Sequence, residues 1–210
     1  YNMNNASDLY TSQAESVVRS QALFGEIALD YDGWLYASFT GRNEWSSTFE
    51  LDDNNFFYPS ASLSLVFSEL VDLPEWFSFG KVRYSYSQVG ISPVPYATRS
   101  IYTSPFYTDG FTNGLAFPYN GVNGFAISNT LFGGKPLQPE RVTGNEVGFN
   151  VNFLKGLIDL DYTYYNQKST DLLLFLPTPG SSGFQSAYVN SGEMVNQGHE
   201  IYMDIKPIRK

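Results

Sequence analysis

The sequence contains no cysteine and a single histidine. Without cysteine there is no disulfide framework and no thiolate metal or redox site. One imidazole cannot build a multi-histidine metal centre. Charge is also sparse: Asp, Glu, Lys and Arg make up 16% of the 210 residues, low for a fully solvated surface. Basic residues are the scarcer kind, 12 Lys+Arg against 21 Asp+Glu for a formal net charge of -9, which argues against a nucleic-acid partner. No apolar run approaches the roughly eighteen residues of a membrane helix, so any membrane crossing must be made by strands. No signal peptide or initiating Met is present, and the chain opens at Tyr1 in a polar stretch. The expectation is an internal piece of something longer.

What the chain has instead is aromatic residues, 16 Tyr and 17 Phe, set in long alternating runs. Val147, Phe149, Val151 and Phe153 alternate with Glu146, Gly148, Asn150 and Asn152. After a tight turn at Leu154-Lys155-Gly156, Ile158, Leu160, Tyr162 and Tyr164 alternate with Asp159, Asp161, Thr163 and Tyr165. Side chains of a strand point alternately to its two faces, so this hairpin has one apolar-aromatic face and one polar face. Strands of about ten residues are long enough to cross a bilayer at a tilt.

Taken in order, residues 1–20 read as a polar loop or linker and 21–206 as part of a barrel. The expected strands are 23–31, 34–45, 58–68, 78–88, the two of the hairpin (the second extending to Leu176), and one from about Tyr188 to Lys206, closed by Pro207. Asp32-Gly33 predicts a tight turn between the first two. Leu23, Gly25, Ile27, Leu29 and Tyr31 are expected outward, as are Leu35, Ala37 and Phe39, then Ala61, Leu63, Leu65 and Phe67. Connections at 32–33, 69–77 and 154–156 read as short, those at 46–57, 89–136 and 177–187 as long. That alternation is typical of the periplasmic turns and extracellular loops of an outer-membrane barrel. The long insertion 89–136 is rich in Pro, Gly and aromatics, and loops of that length are commonly functional.

Three ordered stretches resemble one family. The run LQPERVTGNEVGFNVNFLKGLIDLDYTYYNQKSTDLLL, the later Val189-Asn190-Ser191-Gly192-Glu193-Met194 with Asn196-Gln197-Gly198-His199-Glu200, and Tyr58-Pro59-Ser60-Ala61-Ser62-Leu63 upstream are similar to the late barrel of SusC/RagA-type TonB-dependent outer-membrane transporters. The resemblance implies an all-β fold: an antiparallel meander of about seven long strands within a transmembrane barrel of about twenty-two. It implies a plug domain that is absent from this segment, and the TonB complex acting through that plug. It also implies a SusD-like surface lipoprotein as partner, outer-membrane lipid around the wall, and import of oligosaccharides or peptides into a Gram-negative, Bacteroidetes-like bacterium. Seven strands cannot close such a barrel alone, since an open edge in lipid leaves unpaired peptide groups at several kcal/mol each.

Other classes fare less well. A secreted β-sandwich or lectin-like carbohydrate-binding module shares the alternation, and an all-β glycosidase would need paired carboxylates that the sequence does not reveal. Gly180-Ser181-Ser182-Gly183 lacks the strand–helix setting of a nucleophile elbow. Asp52-Asp53-Asn54-Asn55 lacks calcium-loop spacing. His199 stands on the outward register and serves no triad. No enzymatic activity and no cofactor are expected.

Two groups of candidate residues remain. Loop aromatics Trp45, Tyr96, Tyr102, Phe106, Tyr107, Phe111 and Tyr119 could stack on cargo, or could pack the loops together or against a partner. Inward Arg42, Arg83 and Glu146 are expected to line the lumen, or to form salt bridges within the wall or to the plug, and Asp159 and Asp161, two apart on one face, to line a hydrated lumen wall rather than to form a carboxylate pair or cation site.

Overall fold

The computed structural model describes residues 15–103, 106–107, 109–111, 114–128, 131–132 and 136–206. Seven long strands form one antiparallel sheet. They are β1 (Ser20–Tyr31), β2 (Leu35–Ser46), β3 (Asn55–Leu65), β4 (Phe77–Ile91), β10 (Glu140–Phe153), β11 (Ile158–Thr170) and β14 (Glu193–Ile205), in the spatial order β1-β2-β3-β4-β10-β11-β14. Between β4 and β10 lie five two-residue strands: β5 (Tyr102–Thr103), β6 (Phe106–Tyr107), β7 (Leu115–Ala116), β8 (Ala126–Ile127) and β9 (Leu131–Phe132). Between β11 and β14 a small hairpin rises from β12 (Leu173–Pro177) and β13 (Ser186–Asn190), and β9 joins it in parallel to β13.

Local chemistry sets these elements. Asp32 and Gly33 both adopt positive φ (51° and 73°), the geometry of a hairpin turn that follows the twist of the strands. The Asp30 carboxylate accepts a hydrogen bond from the Gly33 N–H at 3.1 Å, and the Tyr36 hydroxyl donates to the Gly33 carbonyl at 2.9 Å. Directly paired residues share a face, so the registers decide which side chains line up. Leu29, Ala37, Leu63, Tyr84, Val147, Tyr164 and His199 form one continuous row on one face. Ala28, Ser38, Ser62, Ser85, Glu146, Tyr165 and Gly198 form the neighbouring row on the other. Within the wall strands, the residues expected to share a face do so.

The apolar face is largely uncovered: Leu29, Phe39, Leu63, Tyr84, Val147 and Ile201 are all exposed. A soluble sandwich would lay a second sheet on this face; among the described residues no second layer does so. The two outermost strands, β1 and β14, each pair on one side only. This is the construction of a barrel wall, greasy toward lipid and polar toward a lumen.

The rows also slide. Tyr31, Leu35, Leu65, Val82 and Phe149 share one row. The β1–β2 turn begins directly below it, whereas the β10–β11 turn comes after Phe153, four residues further down. The displacement is about one residue per strand. At about 3.3 Å per residue and about 4.8 Å between strands, the strands lean by roughly 35°, the inclination that closes a barrel.

Rings crowd the turn end of the outward face. Tyr31 meets Trp34 edge-on at 5.4 Å, and Phe77 meets Phe153 edge-on at 5.2 Å while Trp76 stacks on Phe153 at 5.8 Å. At the opposite border, the Tyr84 hydroxyl donates to Asn145 at 3.0 Å and the Tyr164 hydroxyl to Gln197 at 3.3 Å. The Tyr162 hydroxyl and His199 Nδ1 are hydrogen-bonded at 2.8 Å. These amphipathic rings mark the two interfaces of the apolar band.

Three strand boundaries fall short of the sequence reading. The third strand ends at Leu65 rather than Ser68, because Phe67–Glu69 forms a short 3₁₀ turn that lays the Phe67 ring over Gly80, where a Cβ would collide. The sixth ends at Thr170 rather than Leu176: Asp171 turns left-handed (φ 55°) and sends the chain into the separate β12–β13 hairpin. The seventh is interrupted at Ser191-Gly192, with Gly192 at φ 79°, so that Tyr188 belongs to β13 and not to the wall. The alternation of connection lengths is imperfect too, since residues 66–76 outnumber residues 47–54. Residues 1–14 of the expected linker, and Pro207, lie outside the described residues.

Candidate functional site: the polar face and the loop platform

All five expected lumen residues stand on the polar face. Arg83 on β4 faces Gly148 on β10, and Gly148 faces Thr163 on β11. With no side chain at Gly148, the Arg83 guanidinium lies flat across β10. It donates to both carboxylate oxygens of Asp161, from Nη1 at 2.9 Å and from Nη2 at 2.6 Å. Nη2 also reaches the Thr163 hydroxyl at 2.5 Å. A Cβ at position 148 would come within 2.8 Å of Arg83 Nε and of the Tyr162 carbonyl. Asp159 accepts a hydrogen bond from Asn150 Nδ2 at 2.9 Å. Glu146 lines a shallow polar recess of about 280 Å³ with Thr163, Tyr165, Gln167, Asn196 and Glu200. Arg42 pairs along its own strand with Glu44 at 3.0 Å.

A hydroxylic patch lies beside these charged groups. Ser38 and Ser62 are hydrogen-bonded at 3.0 Å, and Ser60, Ser64, Ser85 and Ser87 continue the patch on β3 and β4. No group of three or more His, Cys, Asp or Glu capable of holding a metal occurs among the described residues.

At the loop end, the connections pack on one another. Ala97, Leu137 and Tyr188 form a buried cluster with Leu173 against it, and Pro139 is fully buried. Phe175 stacks on Tyr188 with centroids 4.4 Å apart. Burial pushes the Tyr188 hydroxyl pKa up, and the Glu140 carboxylate adds to this, while a hydrogen bond to the Val94 backbone acts the other way. Asn190 ties the hairpin down: its Oδ1 accepts from the Gln138 N–H at 2.8 Å, and its Nδ2 donates to the carbonyls of Gln138 at 2.7 Å and Asp171 at 2.9 Å. Gln138 Nε2 in turn donates to Asp53 of the 47–54 loop.

The loop aromatics separate. Trp45 stands on the outward register, paired with Gln21 and Asn55 at the loop end of the apolar face. Tyr96 is held at φ 63° and its hydroxyl accepts from the Val17 N–H at 3.4 Å. Tyr102 pairs with Ile127 in the β5–β8 ladder, and its side chain is exposed. Tyr119 bridges to Val122 around the Asn120-Gly121 turn, and Phe111 is 97% exposed. Phe106 and Tyr107 form β6, and their side chains lie outside the described residues. The structure therefore does not gather these rings into one pocket among the described residues. The sequence reading passed over Phe24, whose signal was present: it is an apolar residue in the polar register of β1, directly opposite Arg42.

These features define an outer-membrane type of β-barrel wall. The chain belongs to the TonB dependent receptor-like, beta-barrel family, which it matches over residues 1–205. That family comprises outer-membrane receptors of Gram-negative bacteria, and its members are receptors and transporters. TonB-dependent receptor P26 of Formosa agariphila is 27% identical over 194 residues, covering 90% of this chain and 18% of the relative. TonB-dependent receptor P3 of the same organism is 26% identical over 202 residues, covering 95% and 19%. The RagAB peptide importer in its closed-closed state superposes with a TM-score of 0.76 at 23% identity, over 91% of this chain and 20% of that one. The siderophore receptor PirA of Pseudomonas aeruginosa superposes at 0.55 and 17% identity, over 88% and 30%. The chain thus spans about a fifth of the length of its curated relatives.

Proposed function

We propose that this segment is part of the wall of a TonB-dependent importer that moves oligosaccharides or peptides across the outer membrane of a Bacteroidetes-like bacterium. The TonB complex would act through a plug domain elsewhere in the protein, and a SusD-like surface lipoprotein would sit at the loop end. The observation that carries this reading is the division of labour in the sheet. One face is apolar and bordered by aromatic rings, the other is hydroxylic and charged, and only one end bears loops with a packed core of their own. Family membership and the likeness to an importer described as RagAB support it.

The wall does no bond chemistry in this reading. Arg83 and Asp161 satisfy one another, so the lining offers polar contact without a fixed net charge at that point. The test is genetic and biochemical. Deleting the gene for the full-length protein should abolish uptake of one nutrient class, and removing TonB should give the same loss. Affinity purification of the full-length protein from outer membranes should recover a lipoprotein. Uptake unchanged by either deletion would refute the transport reading.

A further inference from the structure

Resting on that transport reading and going beyond it, we propose that the wall divides at its loop end into two bodies that hinge against one another at Ser60 and Ser87. The first observation is the length of the strand ladders. β1 pairs with β2 up to Ser20 and Ser46, and β2 with β3 up to Trp45 and Asn55. β4 pairs with β10 up to Ile91 and Glu140, and β11 with β14 up to Thr170 and Glu193. Each of these ladders reaches the loop end of its strands. The ladder between β3 and β4 stops at Ser60 and Ser87, although β3 begins at Asn55 and β4 runs on to Ile91. The first β3 residue beyond the last pair is Pro59, which has no N–H to donate and is a residue of sheet edges. The seam lies within the sheet, between its third and fourth strands, so strands added beyond β1 or β14 do not close it.

Second, each side of the seam carries an apolar core of its own. Phe49, Phe56 and Tyr58 cluster on the β2–β3 side, with the Phe49 and Phe56 rings 4.5 Å apart. Ala97, Leu137 and Tyr188 cluster on the β4–β10 side. A unit with its own core can move as a unit.

Third, the two sides are weakly joined. Two exposed hydrogen bonds cross the seam, from Gln138 to Asp53 and from the Val17 N–H to the Tyr96 hydroxyl at 3.4 Å. Exposed bonds of this kind exchange readily with water. The Tyr58 ring lies in the split against Gly90, which has no side chain to interlock with it. Beside the ring is a cavity of about 430 Å³, lined by Arg42, Glu44 and Tyr58 from one side and by Ser87, Val89 and Gly90 from the other. Close-packed interfaces resist displacement, and this one is not close-packed. From Ser60 and Ser87 down to Leu65 and Val82 the two strands pair without a break, which fixes the hinge. Motion about it swings the 47–54 loop toward or away from the loop platform, and so narrows or widens the mouth above the polar face.

The experiment uses the full-length protein in its native bacterium. A deletion strain is supplied with an oligosaccharide mixture and, separately, with a peptide hydrolysate, to find which uptake is lost. It is then complemented with Asp53→Cys/Gln138→Cys, which straddles the seam, or with Thr143→Cys/Lys168→Cys, a facing pair of β10 and β11 on one side of it. A cleavable two-armed maleimide links each pair, and mass spectrometry gives the linked fraction; this segment has no cysteine of its own. Asp53→Cys and Gln138→Cys alone, carrying the same reagent, control for its bulk. The expected result is uptake at least tenfold lower with the seam linked, restored when the linker is cleaved. The one-sided pair and the single variants should keep full uptake. Full uptake with the seam linked would overturn the hinge and leave the transport reading standing. So would an equal loss in the one-sided pair or the single variants, because the reagent alone then blocks the path, and so would a failure of positions 53 and 138 to link. No uptake lost on deletion would bring down both.

Discussion

Arg83 and Asp161 are bonded across a strand that belongs to neither of them. Their carriers, β4 and β11, are separated by β10, and the bridge exists because position 148 has no side chain. Asp161→Asn keeps the shape but removes the charge-assisted pairing. Both partners are about one-third exposed, so the loss should be modest, about 1 kcal/mol. Gly148→Ala should cost more, about 1–3 kcal/mol, since one of the two obstructing atoms is the backbone oxygen of Tyr162 and cannot swing away. The temperature at which the folded barrel of the full-length protein loses its compact gel mobility will rank the two; a Gly148→Ala protein as heat-resistant as wild type would show that Arg83 does not need the gap.

Depth in the membrane should govern the cost of a charge on the outward face. Val151→Arg and Leu63→Arg place a cation on the apolar face, inside the turn-end ring of aromatics, and should destabilise by a few kcal/mol, about 2–4 at most. His199→Arg lies at the border, among Tyr162, Tyr164 and Gln197, and should cost about 0–1 kcal/mol. Urea unfolding of the full-length protein in lipid vesicles would measure the gradient. Equal costs at all three sites would mean that the band has been drawn at the wrong height.

The Lys168–Glu193 pair, 2.8 Å apart on the outward register above that border, should contribute almost nothing. Both side chains are about half exposed or more, and exposed pairs are screened by salt. Lys168→Ala is expected to leave the unfolding midpoint unchanged at 150 mM salt.

Asn190 makes three hydrogen bonds that join the β12–β13 hairpin to the strand entering β10. Asn190→Ala removes three exposed hydrogen bonds whose partners can turn to water, and should loosen the hairpin by about 1 kcal/mol. The wall should remain intact. Hydrogen exchange should therefore speed up over residues 173–190 and stay slow in β10 and β11; acceleration in all of them would tie the loop core to global stability.

The same core should be sensitive to alkali. Because the Tyr188 pKa is raised on folding, its neutral form contributes stability that is fully present below the ordinary tyrosine pKa and is lost as pH rises through the raised value. Protease cleavage of the hairpin should increase in that alkaline window in wild type and increase less in Tyr188→Phe.

How much of this was written in the sequence follows from what each signal measures. Alternation reports which face a residue takes, and from Leu23 to Ile205 that reading held because a period of two leaves no other assignment once a strand exists. It does not report where a strand stops. Leu172, Leu174 and Leu176 continue the pattern past Thr170, yet Asp171 tolerates a left-handed backbone and the chain departs there. Nor does it report packing among distant loops, so the meeting of Ala97, Leu137, Leu173 and Tyr188 had no local signature. The Arg83–Asp161 contact was half visible: both residues were placed inward, but only the register puts Gly148 between them.

The lean of the strands also restricts how such a wall can change in length. Each strand is offset by about one residue from the next, so its height relative to the membrane is tied to its neighbours on both sides. Removing one residue within β10 would exchange its lipid and lumen faces outright, while removing two would preserve the faces but lower its polar border into the bilayer by about 7 Å along the strand. Insertions and deletions are therefore confined to the ends, and chiefly to the loop end. The wall fixes its own dimensions, and diversity of cargo has to arise in the loops and in the side chains that face the channel.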